Sequence, residues 1–364
     1  MTSQTCRDKT DVRVETAQRT PTYTHLNTVR ALLALSVLLY HLSGTIALDK
    51  YFGVDAYACV FGFGGARVPF FFVLSGFVLT LVYARDFGQP HKTLSFLWRR
   101  FVRLYPTYWT ILLLVMAPAL FFPTLRNAIP SNPEAVLNMF LLLPDFQGSA
   151  SATGAPVIVV AWTLHYEVVF CLVLAAWIAS RPLGLALCVA LILNALGCSS
   201  TDCVGYRHFL ASGSMGYFAC GAASAWLVKR LPTMPQAMAI AWAALSVYLF
   251  IAVTAQGGRE FDWLPDKNLF FLVLACVVLI CLVNAQAAQP PRRNSAFVKR
   301  LSDSSYAMYL LHFPMVSLIC KLVIHAGLRG AAGAAVAFFS TLLICIGSAI
   351  MFHLLIERRL LALR

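Results

Sequence analysis

The sequence predicts an all-α, polytopic membrane protein of about ten transmembrane helices with both termini cytoplasmic. Three observations carry that prediction. Hydrophobic residues make up 60% of the 364 positions and charged residues only 12%. Mean hydropathy is +0.75, and a soluble domain of this length would need far more polar surface. Apolar runs of about 20 residues, the length that crosses a hydrocarbon core as a helix, lie near 28–48, 61–83, 107–123, 159–179, 182–198, 209–228, 236–254, 268–286, 304–325 and 332–354. Basic residues gather in alternate connections: Arg13 and Arg19; His91, Lys92, Arg99, Arg100 and Arg103; Arg181; Lys229 and Arg230; Arg292, Arg293, Lys299 and Arg300; Arg358, Arg359 and Arg364. The connections between them hold most of the acids, including Asp49, Asp55, Glu134, Asp145, Asp202, Glu260, Asp262 and Asp266. That is the positive-inside distribution, which fixes an even number of crossings.

Residues 1–24 are polar and lack the basic-then-apolar order of a cleaved signal, so they read as a disordered cytoplasmic tail. The first apolar run then acts as an uncleaved signal anchor. A single membrane domain fills 25–357, and 358–364 reads as a short cytoplasmic tail. Much of the +13 net charge is topological. It does not point to a partner of its own; membrane lipid is expected around such a chain, and nucleic acid is not. The two halves show no matching pattern of the kind that repeat-built transporters display. The eleven cysteines are scattered without metal-ligand spacing. Cys198 and Cys203 flank one predicted external loop, where an oxidising compartment permits a disulfide. The longest external loop, 125–156, contains an apolar patch over 136–143 that reads as interfacial. The inner loops 86–106 and 287–303 are the longest on the other side. Within the first, residues 95–106 alternate aromatics with arginines, as an interfacial amphipathic helix does.

Ionisable groups inside apolar runs are costly and mark functional sites by default. The first run holds Arg30 and His41. Eleven residues at about 100° each place them on one helix face, about 16 Å apart along the axis. Arg30 alone is also explained as an anchor at the headgroups. His41 reads either as a buried neutral histidine or as a general base, since imidazole titrates near neutrality. Glu167, in the run Trp162 to Glu167, is placed at a depth matching His41, where a carboxylate can orient an imidazole. His165 lies nearer the headgroups. Arg100 and Arg103 sit one turn apart, and paired guanidinium groups suit phosphates as well as lipid headgroups. Tyr306, Tyr309 and His312 share one face of a late run, a stripe that reads as hydrogen bonding or ligand contact. The small pair Ser75-Gly76 permits close helix approach.

Together these segments resemble the acyltransferase 3 family of integral-membrane O-acyltransferases. The family's arginine–ten residues–histidine motif matches Arg30 and His41. Its Phe-Phe-x-Leu-Ser-Gly-Phe stretch matches Phe71 to Phe77. Its R-x-x-R before an aromatic-proline pair matches Arg100 and Arg103 with Tyr105-Pro106. Its Trp-Ser-Leu-x-x-Glu element matches Trp162 to Glu167, with Thr163 for serine, and its Ser-Tyr-x-x-Tyr-Leu-x-His element matches Ser305 to His312. One departure is Ala66-Arg67-Val68-Pro69, where the family often has Gly-Val-Asp.

The resemblance implies transfer of an acyl group, usually acetyl, from cytoplasmic acyl-CoA to a hydroxyl of a cell-surface or lipid-linked glycan. It implies the bacterial inner membrane and no tightly bound cofactor, with acyl-CoA as co-substrate. On that reading Arg30, Arg100 and Arg103 hold the CoA phosphates, His41 is the base and Glu167 orients it. Trp162, Tyr306, Tyr309, His312 and Ser75 are then substrate-contacting or structural. The alternative is a membrane transporter or translocase of a glycan or small metabolite.

Overall fold

The computed structural model describes residues 24–61, 67–121, 129–146, 154–155, 157–198, 203–232, 234–255, 267–287 and 295–363. The expected N-terminal tail, apart from Thr24, lies outside them, as does residue 66 of the departing stretch. Among the described residues the regular secondary structure is all helix, without strands.

Helix α1 (Thr24–Ala47) is the hub. Ala31, Ala34, Leu38, Leu42 and Ile46 recur every three or four residues and are all buried, the stripe a helix needs to pack on neighbours. After the short α2 (Ala56–Phe61), α3 (Arg67–Tyr83) returns beside α1. Helix α4 (Thr93–Met116) is followed by α5 (Pro133–Leu141), where the Asn132 side chain accepts from the Glu134 amide and Pro133 takes the first turn. Helices α6 (Trp162–Ala179) and α7 (Arg181–Gly197) form a hairpin. Then come α8 (Gly205–Ala211), α9 (Gly213–Val228), α10 (Gln236–Ala255) and α11 (Lys267–Ala287). The chain closes with α12 (Ala296–Asp303), α13 (Ser305–His325), α14 (Gly330–Phe352), a π turn at His353–Glu357, and α15 (Arg358–Leu361).

The described residues of the predicted apolar runs are mostly helical, but the run 209–228 is broken at Ser212 between α8 and α9. Among the described residues six helical stretches are long and apolar enough to cross a membrane, and α7, α10 and α11 supply shorter apolar ones. Large side chains such as Leu172, Ile192, Leu343 and Met351 point outward, as they do on helices whose outer face meets lipid. Helix α1 packs against α3, α11, α13 and α14. Helices α3 and α9 make the most extensive pair, and their backbones nearly touch. A Cβ on Gly76 would overlap the Phe218 carbonyl, and one on Gly221 would overlap the Val73 carbonyl. Gly76 is therefore a packing residue.

Three sequence expectations change. The helix expected to end at Pro106 runs on to Met116. Proline forfeits one backbone bond, and Thr110 Oγ1 donates to the Pro106 carbonyl at 2.8 Å. The arginines thus ride into the bundle instead of lying flat in the interface. The apolar patch 136–143 is not free either. Tyr108, Trp109 and Tyr105 donate to the carbonyls of Met139, Phe140 and Leu141 at 2.8, 2.8 and 3.0 Å, pinning α5 to α4. Lastly, the expected C-terminal tail is helical over Arg358–Leu361. Cys198 and Cys203 are joined in a disulfide.

Candidate active site

The starts of α1, α12 and α13, the middles of α3 and α4, the start of α6 and the C-terminal π turn enclose a cavity of about 860 Å³. Along α3 it reaches from Val68 to Leu79, about 16 Å at 1.5 Å per residue. Six permanently cationic side chains line it: Arg30, Arg100, Arg103, Lys299, Arg300 and Arg358. Among the described lining residues two carboxylates, Glu167 and Asp303, oppose them.

The ion pairs within this cluster are specific. Arg100 Nη2 donates to Glu167 Oε1. Arg103 Nη1 lies 3.4 Å from Oε1 of the fully buried Glu357, whose other oxygen takes His353 Nδ1 at 2.8 Å. Lys299 pairs with Asp303 at 2.8 Å. Among the described residues no carboxylate lies within ion-pair distance of Arg30. A half-buried guanidinium with no carboxylate in ion-pair distance among the described residues, beside two other guanidinium groups, is a cost that an anionic ligand would offset.

Tyrosines shape the cavity wall. The Tyr306 hydroxyl donates to the Leu104 carbonyl at 2.9 Å, and its ring lies 5.6 Å from the Arg103 guanidinium, within cation–π range. Tyr309 OH donates to the Val160 carbonyl at 3.0 Å and meets Thr163 Oγ1 at 2.9 Å. The threonine that replaces the expected serine therefore still uses its hydroxyl. Ser75 also faces the cavity.

Behind Tyr309, one turn deeper on α13, lies His312. Its ring centroid is 5.8 Å from that of Tyr309 and 5.2 Å from that of His41. His312 is 1% exposed. Its Nδ1 is 2.7 Å from the Tyr309 carbonyl and 3.3 Å from the Met308 carbonyl. A carbonyl only accepts, so Nδ1 carries the proton and Nε2 presents a lone pair. Among the described residues nothing hydrogen-bonds to that Nε2. His41 is otherwise walled by Tyr40 at 5.1 Å and Phe313 at 5.4 Å between centroids. The charged cavity lies at the N-terminal ends of α1 and α13, and the two imidazoles meet farther along the same two helices, behind the cavity-lining Tyr309.

Residues 23–351 match the acyltransferase-domain family, acyltransferase 3. The chain belongs to the acyltransferase 3 family. It is an integral-membrane O-acyltransferase, and this membership decides between the transferase and transporter readings. Among curated relatives, the exopolysaccharide production protein ExoZ of Rhizobium meliloti is 28% identical over 315 residues, covering 83% of this chain and 90% of ExoZ. The peptidoglycan O-acetyltransferase OatA of Listeria monocytogenes is 24% identical over 318 residues, covering 80% of this chain and 49% of OatA. The chain therefore spans about half the length of OatA. No solved structure matches.

The acyltransferase 3 motifs converge unevenly in space. Arg30, Arg100, Arg103, Ser75, Tyr306 and Tyr309 all line one cavity, although they stand far apart in the sequence. Glu167 joins them there, paired with Arg100. The ring of His312 lies beside that of His41. Trp162 packs edge-on against Phe72 at 6.1 Å and Tyr166 at 6.0 Å, outside the residues lining the cavity. His165, expected near the headgroups, is 4% exposed and faces Phe209. Sequence reasoning missed Glu357. It is a lone carboxylate at the end of a long apolar run, the same signal that singled out Glu167.

Proposed function

We propose that the protein transfers an acyl group, most simply acetyl, from acyl-CoA in the cytoplasm of a bacterium to a hydroxyl of a cell-surface or exported glycan. The arginine cavity takes the CoA phosphates from the cytoplasmic side of the inner membrane, the side where basic loops cluster. ExoZ and OatA, whose names place them in exopolysaccharide production and peptidoglycan O-acetylation, support a glycan acceptor.

His41 acts as the general base. It takes the proton of the acceptor hydroxyl as that oxygen attacks the thioester carbonyl. The tetrahedral intermediate then collapses, the C–S bond breaks, and the imidazolium returns the proton to the departing CoA thiolate. Glu167 holds Arg100 toward the donor rather than serving His41.

The single observation that carries this reading is Arg30, a guanidinium with no carboxylate in ion-pair distance among the described residues, set with Arg100 and Arg103 in one cavity whose wall includes Tyr309, the neighbour of His312. The test has two arms. Acetyl-CoA should raise the melting temperature of the purified protein while free acetate does not, and Arg30→Gln should abolish that shift. His41→Ala, folded and inserted, should still be stabilised by acetyl-CoA yet leave the surface glycan lighter by one acyl mass. Wild-type acylation by His41→Ala would overturn the assignment.

A further inference from the structure

The end of the bundle remote from the arginine cavity holds a second cavity, of about 800 Å³, at the tips of α1, α13 and α14. Lys50, Tyr51, Ser317, Lys321, His325 and Arg329 line it, and among the described residues no carboxylate does. The Tyr51 and Ser317 hydroxyls meet at 3.1 Å and tie the two helix tips together. Gly327, at φ 84°, reverses the chain after α13, and Leu328 N donates to the Val323 carbonyl at 3.2 Å. That turn brings Arg329 back to the cavity that Lys321 faces. Among the described residues no ion pair engages Lys50, Lys321 or Arg329.

Two features make this more than scattered surface charge. The cations stand at the end where the charge pattern of the chain places acids, so topology does not account for them. The cavity is also in line with the imidazoles. Lys321 follows His312 by nine residues on α13, about 13 Å along the axis, and Ser317 lies between them. Helices α1 and α13 pack together and run the same way, from the arginine cavity past His41 and His312 to this cationic cavity.

We propose that this second cavity is an anion subsite for the acceptor, binding a carboxylate or phosphate group of the glycan or of its lipid carrier so that a nearby hydroxyl reaches His41. The inference rests on the transfer reading above, with donor and acceptor entering from opposite ends. Three fixed cations and a histidine suit a multiply charged oxyanion, and such binding weakens as salt rises.

The test uses the full chain in phosphatidylcholine nanodiscs without donor. Hexagalacturonate supplies sugar carboxylates, farnesyl diphosphate supplies a carrier-like phosphate, and maltohexaose is the neutral control. We expect at least one anionic probe to bind with salt-dependent affinity and maltohexaose not to bind. The triple variant Lys50→Gln, Lys321→Gln, Arg329→Gln should weaken that binding at least tenfold, whereas Lys321→Arg alone should retain it. Binding of hexagalacturonate only assigns the subsite to an acidic sugar; binding of farnesyl diphosphate only assigns it to the carrier. Equal affinity of wild type and triple variant, or no binding of either anion, overturns the proposal. Stabilisation by acetyl-CoA is read on the same samples. If it is missing from wild type while the charge-dependent binding persists, the donor assignment fails and the subsite stands.

Discussion

The partner of Glu167 separates two chemistries, and a pair of double-mutant cycles separates them experimentally. The perturbations are Arg100→Gln, Glu167→Gln and His41→Gln, singly and as the pairs Arg100/Glu167 and His41/Glu167. Arg100 and Glu167 side chains are 16% and 20% exposed, so their attraction acts through a medium well below the permittivity of water. At an effective dielectric of about 20 the Coulomb energy at 4 Å is about 4 kcal/mol. Desolvation of both groups opposes it, which leaves an expected coupling of about 2 kcal/mol, in the range of charged hydrogen bonds. That is about thirtyfold in the unfolding equilibrium. His41 lies beside His312 and Phe313, and on the assignment of Glu167 to Arg100 the His41 and Glu167 effects should add to within about 0.5 kcal/mol. Reversible unfolding in mixed micelles, followed by tryptophan fluorescence, gives both couplings. Additive effects for Arg100/Glu167, or a His41/Glu167 coupling larger than theirs, would refute the assignment of Glu167 to the arginine cluster.

Other perturbations give equally direct expectations. Glu357→Gln removes the charge facing both Arg103 and His353; breaking a buried pair costs about 3–5 kcal/mol, visible as a lower melting temperature, with weaker stabilisation by acetyl-CoA. Gly76→Ala forces a Cβ onto the Phe218 carbonyl and should cost about 1–3 kcal/mol by the same unfolding assay, whereas Gly216→Ala, with nothing within 4 Å of its new Cβ, should leave unfolding nearly unchanged. Thr163→Ser keeps the hydroxyl that meets Tyr309 and should unfold like wild type, while Thr163→Val should lose about 1 kcal/mol.

The helices were legible because apolar length is a strong local signal; the break at Ser212 inside the run 209–228 was not. The histidine and arginine on α1 were legible for the same reason: a charge inside such a run stands out. What the sequence hid was pairing. Glu167 and Arg100 are 67 residues apart, and depth along a helix axis says nothing about which neighbour a side chain faces. His312 lay in a stripe with Tyr306 and Tyr309, yet its rotation toward His41 depends on how α13 packs on α1. The π turn at His353–Glu357 shifts the register by part of a turn, so no helical periodicity places Glu357 under Arg103. Basic residues in α12 read as topology, and only the fold turns Lys299 and Arg300 into cavity wall.

The arginine cavity draws its walls from residue 30 to residue 361, and this has a consequence for biosynthesis. Helices inserted early expose Arg30, Arg100 and Arg103 to an incomplete enclosure, since Glu357 and Arg358 are made among the last. Contacts of such large sequence separation form late. Donor competence should therefore arrive with the final turns of the chain rather than grow by degrees. A protein cut after Phe352 would retain all six membrane-length helical cores and still leave Arg103 without its counter-ion.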